Sequence, residues 1–166
     1  LRSWYKRADN ALYQAKNTGR NRVVDSDKID IPLVSLQVQW RQEWNCGNDE
    51  IDEQHDKILQ IANDLITKIY AGASHNECMD MIKIFLEYAV NHFATEERIL
   101  MEIEYDGLIA HIKKHEYLTN KAIYLKECYE KKELQPAAFL SFIIDEVVVE
   151  HLTKEDTKFF ALLKQS

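Results

Sequence analysis

Glycine and proline are scarce in this sequence, four and two in 166 residues. An all-β protein needs many tight turns built from those residues, so their scarcity excludes one and points to a mostly helical chain. Long uncharged stretches are also missing. The longest runs from Leu134 to Ile144, eleven residues, against about twenty for a helix that crosses a bilayer. No membrane insertion is expected, and no basic-then-apolar signal peptide opens the chain. An excess of basic residues is absent too: 21 Lys and Arg against 28 Asp and Glu give a net charge of −7. That balance argues against a nucleic-acid partner, which requires a basic face to displace counterions from phosphates. Cys46, Cys78 and Cys128 form no C-x-x-C pair, which argues against thiolate zinc sites and thioredoxin-like chemistry. They read as free thiols in a cytoplasmic protein. The remainder is 46% apolar, enough for one folded domain with a short appendage.

The chain divides into three parts. Residues 1–24 are basic, with Ala8, Leu12 and Ala15 on one helical stripe and Gly19 placed to end it. Residues 25–39 read as a charged linker through Pro32 and the start of an extended arm. In that arm Val34, Leu36, Val38 and Trp40 alternate with Ser35, Gln37 and Gln39, a period of two. Residues 40–166 carry four long helical patterns. The first spans about Asp49 to Tyr70, with apolar Ile51, Ile58, Ala62, Leu65 and Ile69. The second starts from Ser74, whose spacing to Glu77 is that of a capping box, and runs to about Glu104. The third spans Leu108 to Glu130 after the Asp106-Gly107 break, and the fourth opens at Gln135-Pro136. Short turns between long amphipathic helices predict an all-α, antiparallel up-down-up-down four-helix bundle, with the extended N-terminal arm and N-terminal helical tail appended.

Five of the six histidines fall within these helices at one depth of such a bundle. His55 is near the start of the first and His92 late in the second, with Glu96 four residues on; His111 and His115 begin the third and His151 ends the fourth. Residues i and i+4 point only about 40° apart, so His92/Glu96 and His111/His115 can each aim at one centre. Asp156 lies five residues after His151, about 140° away on an ideal helix. It joins the layer only where the backbone departs from α-helix, and irregular structure is expected at 152–156. His75, in a predicted turn, lies outside the layer and reads as a surface residue. Five imidazoles and two carboxylates buried together cost several kcal/mol unless a metal supplies the missing charge and partners. Imidazole with carboxylate suits iron, zinc or copper, and the same ligands take manganese. Seven ligands are too many for one ion. Two ions that share the carboxylates use them all, and a three-to-two division of the histidines leaves one ion with a vacant position.

The sequence Ile51-Asp52-Glu53-Gln54-His55, then His92-Phe93-Ala94-Thr95-Glu96-Glu97, His111-Ile112-Lys113-Lys114-His115 and His151-Leu152-Thr153-Lys154-Glu155-Asp156 closely resembles the hemerythrin family from about Trp40 to Phe160. That resemblance implies a non-heme, oxo- or hydroxo-bridged di-iron centre that binds O2 reversibly. His111, His115 and His151 would hold the saturated iron, His55 and His92 the open iron, and Glu96 and Asp156 would bridge them. Ile51, Val147 and Val148 are candidates for the apolar O2 pocket. Residues 8–23, Ala-Asp-x-Ala-Leu-Tyr-x-Ala-Lys-x-x-Gly-Arg-Asn-Arg-Val, resemble the C-terminal end of a GGDEF diguanylate cyclase domain. No Gly-Gly pair occurs in the chain, so the cyclase motif is absent and this piece makes no cyclic di-GMP. The expectation is a sensor of oxygen or redox state linked to cyclic di-GMP signalling through a GGDEF domain of a longer protein, with a tail that is mobile or pairs two copies into a homodimer.

Other classes fit less well. An oxygen or iron carrier or store would use the same ligands. A ferritin-like oxidase needs Glu three residues before His, and those positions hold Asp52, Gly72, Ala89, Leu108, Ile112 and Val148. The H-E-x-x-H protease motif fails at Thr119. His55-Asp56 alone suggests a metal phosphohydrolase and leaves the later histidines unexplained. A binding protein rather than an enzyme is expected.

Overall fold

A computed structural model of the chain describes residues 37–164. The N-terminal tail, the linker and the arm before Gln37 lie outside the described residues. Gln37–Trp40 carries on the alternation expected of the arm: Val38 and Trp40 are half-buried, Gln37 and Gln39 exposed. Both backbone groups of Val38 are taken by one side chain. Its N–H donates to Asn63 Oδ1 at 2.9 Å and its carbonyl accepts from Asn63 Nδ2 at 2.8 Å. A 3-10 turn, Gln42–Trp44, follows.

Helix α1 spans Asp49–Tyr70. Its start is set by Asn48, whose side chain accepts from the N–H groups of Glu50 and Ile51, and by acidic Asp49, Glu50 and Asp52 beside the positive helix end. Asp52 also reaches back to accept from the N–H groups of Cys46 and Gly47, at 2.7 and 3.1 Å, and so ties the preceding loop to the helix. After Tyr70 the chain turns through Gly72 at φ +75°, a conformation open to glycine without strain. Helix α2 spans His75–Glu102 behind the capping box expected from sequence: Ser74 accepts from the Glu77 N–H and Glu77 accepts from the Ser74 N–H. It ends two residues sooner than expected, because Glu104 takes a left-handed φ of +53°. Helix α3 spans Leu108–Glu130. Gly107 just before it has an ordinary φ of −82°; glycine is needed there because a Cβ would run into the Tyr105 ring.

The fourth helix differs from expectation. Helix α4, Pro136–Phe142, is α-helical with Pro136 in its first turn, and then widens into a π-helical segment over Ile143–Glu155. A 3-10 turn, Asp156–Lys158, and a short helix α5, Phe160–Leu163, complete the chain. The irregular backbone expected at 152–156 therefore begins earlier, at Ile143. The physical reason is legible in the buried residues Ile143, Val147, Val148, His151, Leu152 and Asp156, which recur in steps of four and five. Hydrogen bonding from i to i+5 lays such a set along one face.

α1 packs on α2, α2 on α3, α3 on α4, and α4 with the π segment returns to α1. Two apolar clusters fill the interior. The larger includes Ile58, Leu65, Ile82, Phe85, Leu118, Phe139 and Ile143; the smaller, toward one end, includes Cys46, Ile51, Ile99, Leu100 and Phe159. The residues singled out as metal ligands lie where the two clusters meet.

Candidate metal centre

His55, His92, Glu96, His111, His115, His151 and Asp156 are all buried, each at most 3% exposed. The structure brings all seven together in the layer between the clusters. α1 supplies His55, α2 supplies His92 and Glu96 one turn apart, α3 supplies His111 and His115 likewise, and the end of the fourth helix supplies His151 and Asp156. The i+5 pair meets because the Asp156 N–H donates to the His151 carbonyl, a π-type bond directly across the two ligands.

The two carboxylates divide the histidines. Glu96 turns Oε1 toward His111 and toward His115 Nε2, the latter at 3.2 Å, and turns Oε2 toward the Nε2 atoms of His55 and His92, at 3.7 and 3.8 Å. Asp156 repeats the pattern. Its Oδ1 faces the Nε2 atoms of His111 and His151 at 3.6 and 3.4 Å, and its Oδ2 faces His55 Nε2 at 3.5 Å. Three imidazoles thus gather on one side, two on the other, and each carboxylate presents one oxygen to either side. His115 Nε2 and His151 Nε2 point at each other 2.9 Å apart.

The groups are short of partners. His55 Nδ1 and Nε2, His92 Nε2, Glu96 Oε2, His151 Nδ1 and both Asp156 oxygens are buried without a hydrogen bond. Orphaned atoms of this kind are rare in folded proteins because each costs about 1–3 kcal/mol. The donor set fits a pair of divalent or trivalent first-row metal ions: imidazole nitrogens for ligands and two carboxylates for charge and bridging. The electrostatics agree. Burial, and after it the neighbouring His55, pushes His92 down to about 3, so it is held neutral as a metal ligand must be. Burial drives His151 the same way. Burial opposes ionisation of Glu96, but the imidazoles turned toward its oxygens, His111 and His115 first, outweigh it and hold the carboxyl well below its usual range. Burial and then the Glu96 charge push Asp156 well above its own. Cys46 sits in the smaller apolar cluster rather than in the layer, and burial raises its thiol to about 12.

Several supporting residues were not assigned a role from sequence. His92 Nδ1 donates to Gln54 Oε1 at 3.0 Å, and Gln54 Nε2 donates to Thr95 Oγ1 at 3.3 Å. His115 Nδ1 donates to Glu97 Oε1 at 2.8 Å. These bonds fix the tautomer that frees each Nε2 for a metal. The signal was adjacency: Gln54 and Glu97 each neighbour a ligand in sequence, and one helical step turns them to its outer side. Phe93 stacks on His115 with centroids 4.0 Å apart, Phe159 meets His111 edge-on at 5.5 Å, and Trp40 lies 5.9 Å from the His55 ring. The apolar candidates are buried but split between the clusters: Ile51 belongs to the smaller, Val147 and Val148 to the larger. Val147 also lines a small apolar cleft with Phe85, Ala89, Phe93 and Leu118. His75 lies outside the layer, as expected. It is the first residue of α2 rather than part of a turn, half-buried and stacked on Tyr129 at 4.4 Å. Among the described residues no helix is long and apolar enough to cross a membrane.

Residues 46–163 match a family model described as the hemerythrin HHE cation binding domain. A bacteriohemerythrin of Clostridium acetobutylicum is 29% identical over 125 residues, which cover 72% of this chain and 96% of that protein. A bacteriohemerythrin of Pseudomonas paraeruginosa is 32% identical over 77 residues, 46% of this chain and half of that protein. A hemerythrin-like protein of Naegleria gruberi is 24% identical over 124 residues, 75% of this chain and 92% of that protein.

Proposed function

Because the chain belongs to the hemerythrin family, we propose that the buried layer holds two iron ions and that the domain binds O2 reversibly. His111, His115 and His151 hold one ion, His55 and His92 the other, and Glu96 and Asp156 bridge the pair. The observation that carries this reading is the orientation of the carboxylates, each with one oxygen toward the three-histidine side and one toward the two-histidine side. A single-ion site has no use for that arrangement. When bound, the ion pair supplies the electrons and the coordination position that O2 requires.

The residues of the chain do the rest. The side with two imidazoles offers fewer protein ligands, and an ion held there would have a position to spare. Gln54 and Glu97 orient His92 and His115 through their Nδ1 protons. Phe93, Phe159 and the apolar clusters on both sides would keep water away from ions held in the layer. Ile51, Val147 and Val148 supply apolar wall on the two sides of the layer. The test is anaerobic reduction of the iron-loaded chain followed by air, with an iron count and visible absorption. Two irons per chain and a charge-transfer band that vanishes when O2 is removed are expected. One iron, or a band that never reverses, overturns the reading.

We further propose that this domain reports oxygen or redox state to cyclic di-GMP signalling, rather than carrying or storing oxygen. Support comes from residues 8–23, which resemble the end of a GGDEF domain. A longer natural protein with its cyclase domain should change its cyclase rate with O2; a rate indifferent to O2 and to iron oxidation state rejects the sensor role.

A further inference from the structure

The family match begins at Cys46, yet the structure sets a residue from before that point against a ligand. Trp40, on the arm, lies 5.9 Å from the His55 ring at an interplanar angle of 47°. His55, like His151, has no partner at Nδ1. His92 and His115 are anchored through Nδ1 to Gln54 and Glu97, whereas neither nitrogen of His55 has a hydrogen bond. With no polar anchor, its ring is held by packing, against His92 at 4.7 Å and against Trp40.

Trp40 is itself held in three ways. Its Nε1–H donates to Asn45 Oδ1 at 2.6 Å, its ring meets Trp44 edge-on at 5.6 Å, and the arm is fastened two residues earlier by the double hydrogen bond between Val38 and Asn63 of α1. Arg41 lies over the outer ring, 5.5 Å from the Trp44 centroid. The arm therefore forms a braced aromatic cover over the His55 edge of the layer, the side with two imidazoles.

We infer that Trp40 is a positioning residue for the metal centre: it fixes the His55 ring by packing and closes the two-histidine side against water and other small ligands. The inference rests on the reading of His55 as a metal ligand, but not on O2 chemistry. Loss of the cover opens a path for water and exogenous ligands while all seven ligands remain.

The test uses the full chain with cobalt as probe. Wild type, Trp40→Ala, Trp40→Phe and Asn63→Ala are loaded with Co2+, and the rate at which excess chelator strips the metal is followed. Tyr70→Ala, at an exposed position at the far end of α1, is the control. Stripping should be about ten-fold faster in Trp40→Ala and Asn63→Ala with the same initial metal count, a size typical of residues that support metal ligands. Trp40→Phe, which keeps a ring, and Tyr70→Ala should stay close to wild type. Azide binding to the oxidised iron-loaded form should accelerate in the same two variants. Asn63→Ala leaves the indole intact and releases only the arm, so it decides the matter where Trp40→Ala does not fold. Wild-type rates in folded Trp40→Ala and Asn63→Ala overturn the inference, and so does equal acceleration in Tyr70→Ala, which would trace to global stability. A chain that binds two cobalt ions and shows these differences, but never binds O2 as the iron form, retains the cover and loses the proposed function.

Discussion

At the scale of single residues, the layer between the apolar clusters is built by residues in two roles. Histidine Nε2 atoms and carboxylate oxygens face the middle of the layer; for two of the histidines a residue on the outer side of an adjacent helix accepts from Nδ1. Gln54 does this for His92 and Glu97 for His115. Removing such a partner leaves the ligand in place but lets its ring turn and shift tautomer. Gln54→Ala and Glu97→Ala should each lower metal affinity by about 10–100-fold with little loss of helix content, as a cobalt titration beside circular dichroism will show. The seven residues of the buried layer were legible in the sequence as a set, four of them because i,i+4 spacing on a helix has a definite angular meaning. The roles of Gln54, Glu97 and Trp40 were not, because the partner of each lies on another helix or across the arm.

At the scale of elements, boundaries followed local chemistry closely. α1 and α3 occupy the ranges expected from sequence, and α2 starts at the capping box written in Ser74 and Glu77. Asn48→Ala removes the acceptor for two N–H groups of α1 and should lower stability by about 1 kcal/mol in denaturant unfolding. The capping box also makes a pH prediction. Hydrogen bonds from the Ser74 hydroxyl and backbone hold Glu77 below its ordinary 4.5. The folded state therefore binds that proton less readily than the unfolded chain. The contribution is complete above pH 4.5 and is lost as pH falls through the lowered value. Melts of wild type and Ser74→Ala on either side of that pH should converge in acid; a gap that stays constant with pH rules out the Glu77 half of the box. The fourth helix is where local reading fell short. A period of 3.6 runs through Leu140, Ile144, Val147 and Val148, yet Leu140 and Ile144 are only half-buried while Phe139 and Ile143 take the interior, and the buried set from Ile143 on follows steps of four and five. Only the demand that His151 and Asp156 meet in one layer distinguishes a π segment from an α-helix there.

At the scale of the molecule, the bundle places a polar layer between two apolar clusters and leaves seven buried atoms of that layer unpartnered among the described residues. At about 1–3 kcal/mol for each such atom, the metal-free fold carries a large penalty that bound ions remove. Chelator treatment should lower the melting temperature markedly, and melting temperature should then rise with added Fe2+ or Co2+ concentration as binding to the folded state alone requires. A melting temperature indifferent to metal contradicts a metal-binding layer. The sequence by itself determined the helical class, three of the four long helices nearly to the residue, and which seven polar residues share one buried layer. It could do so because capping, turn residues and helical periodicity act over a few neighbouring positions. The tertiary structure alone decided how the carboxylates share the imidazoles between two sides, that the fourth helix widens to bring Asp156 beside His151, and that an arm outside the family match lies against His55. These depend on contacts between segments far apart in the chain, and no local pattern encodes the distance or orientation at which such segments meet.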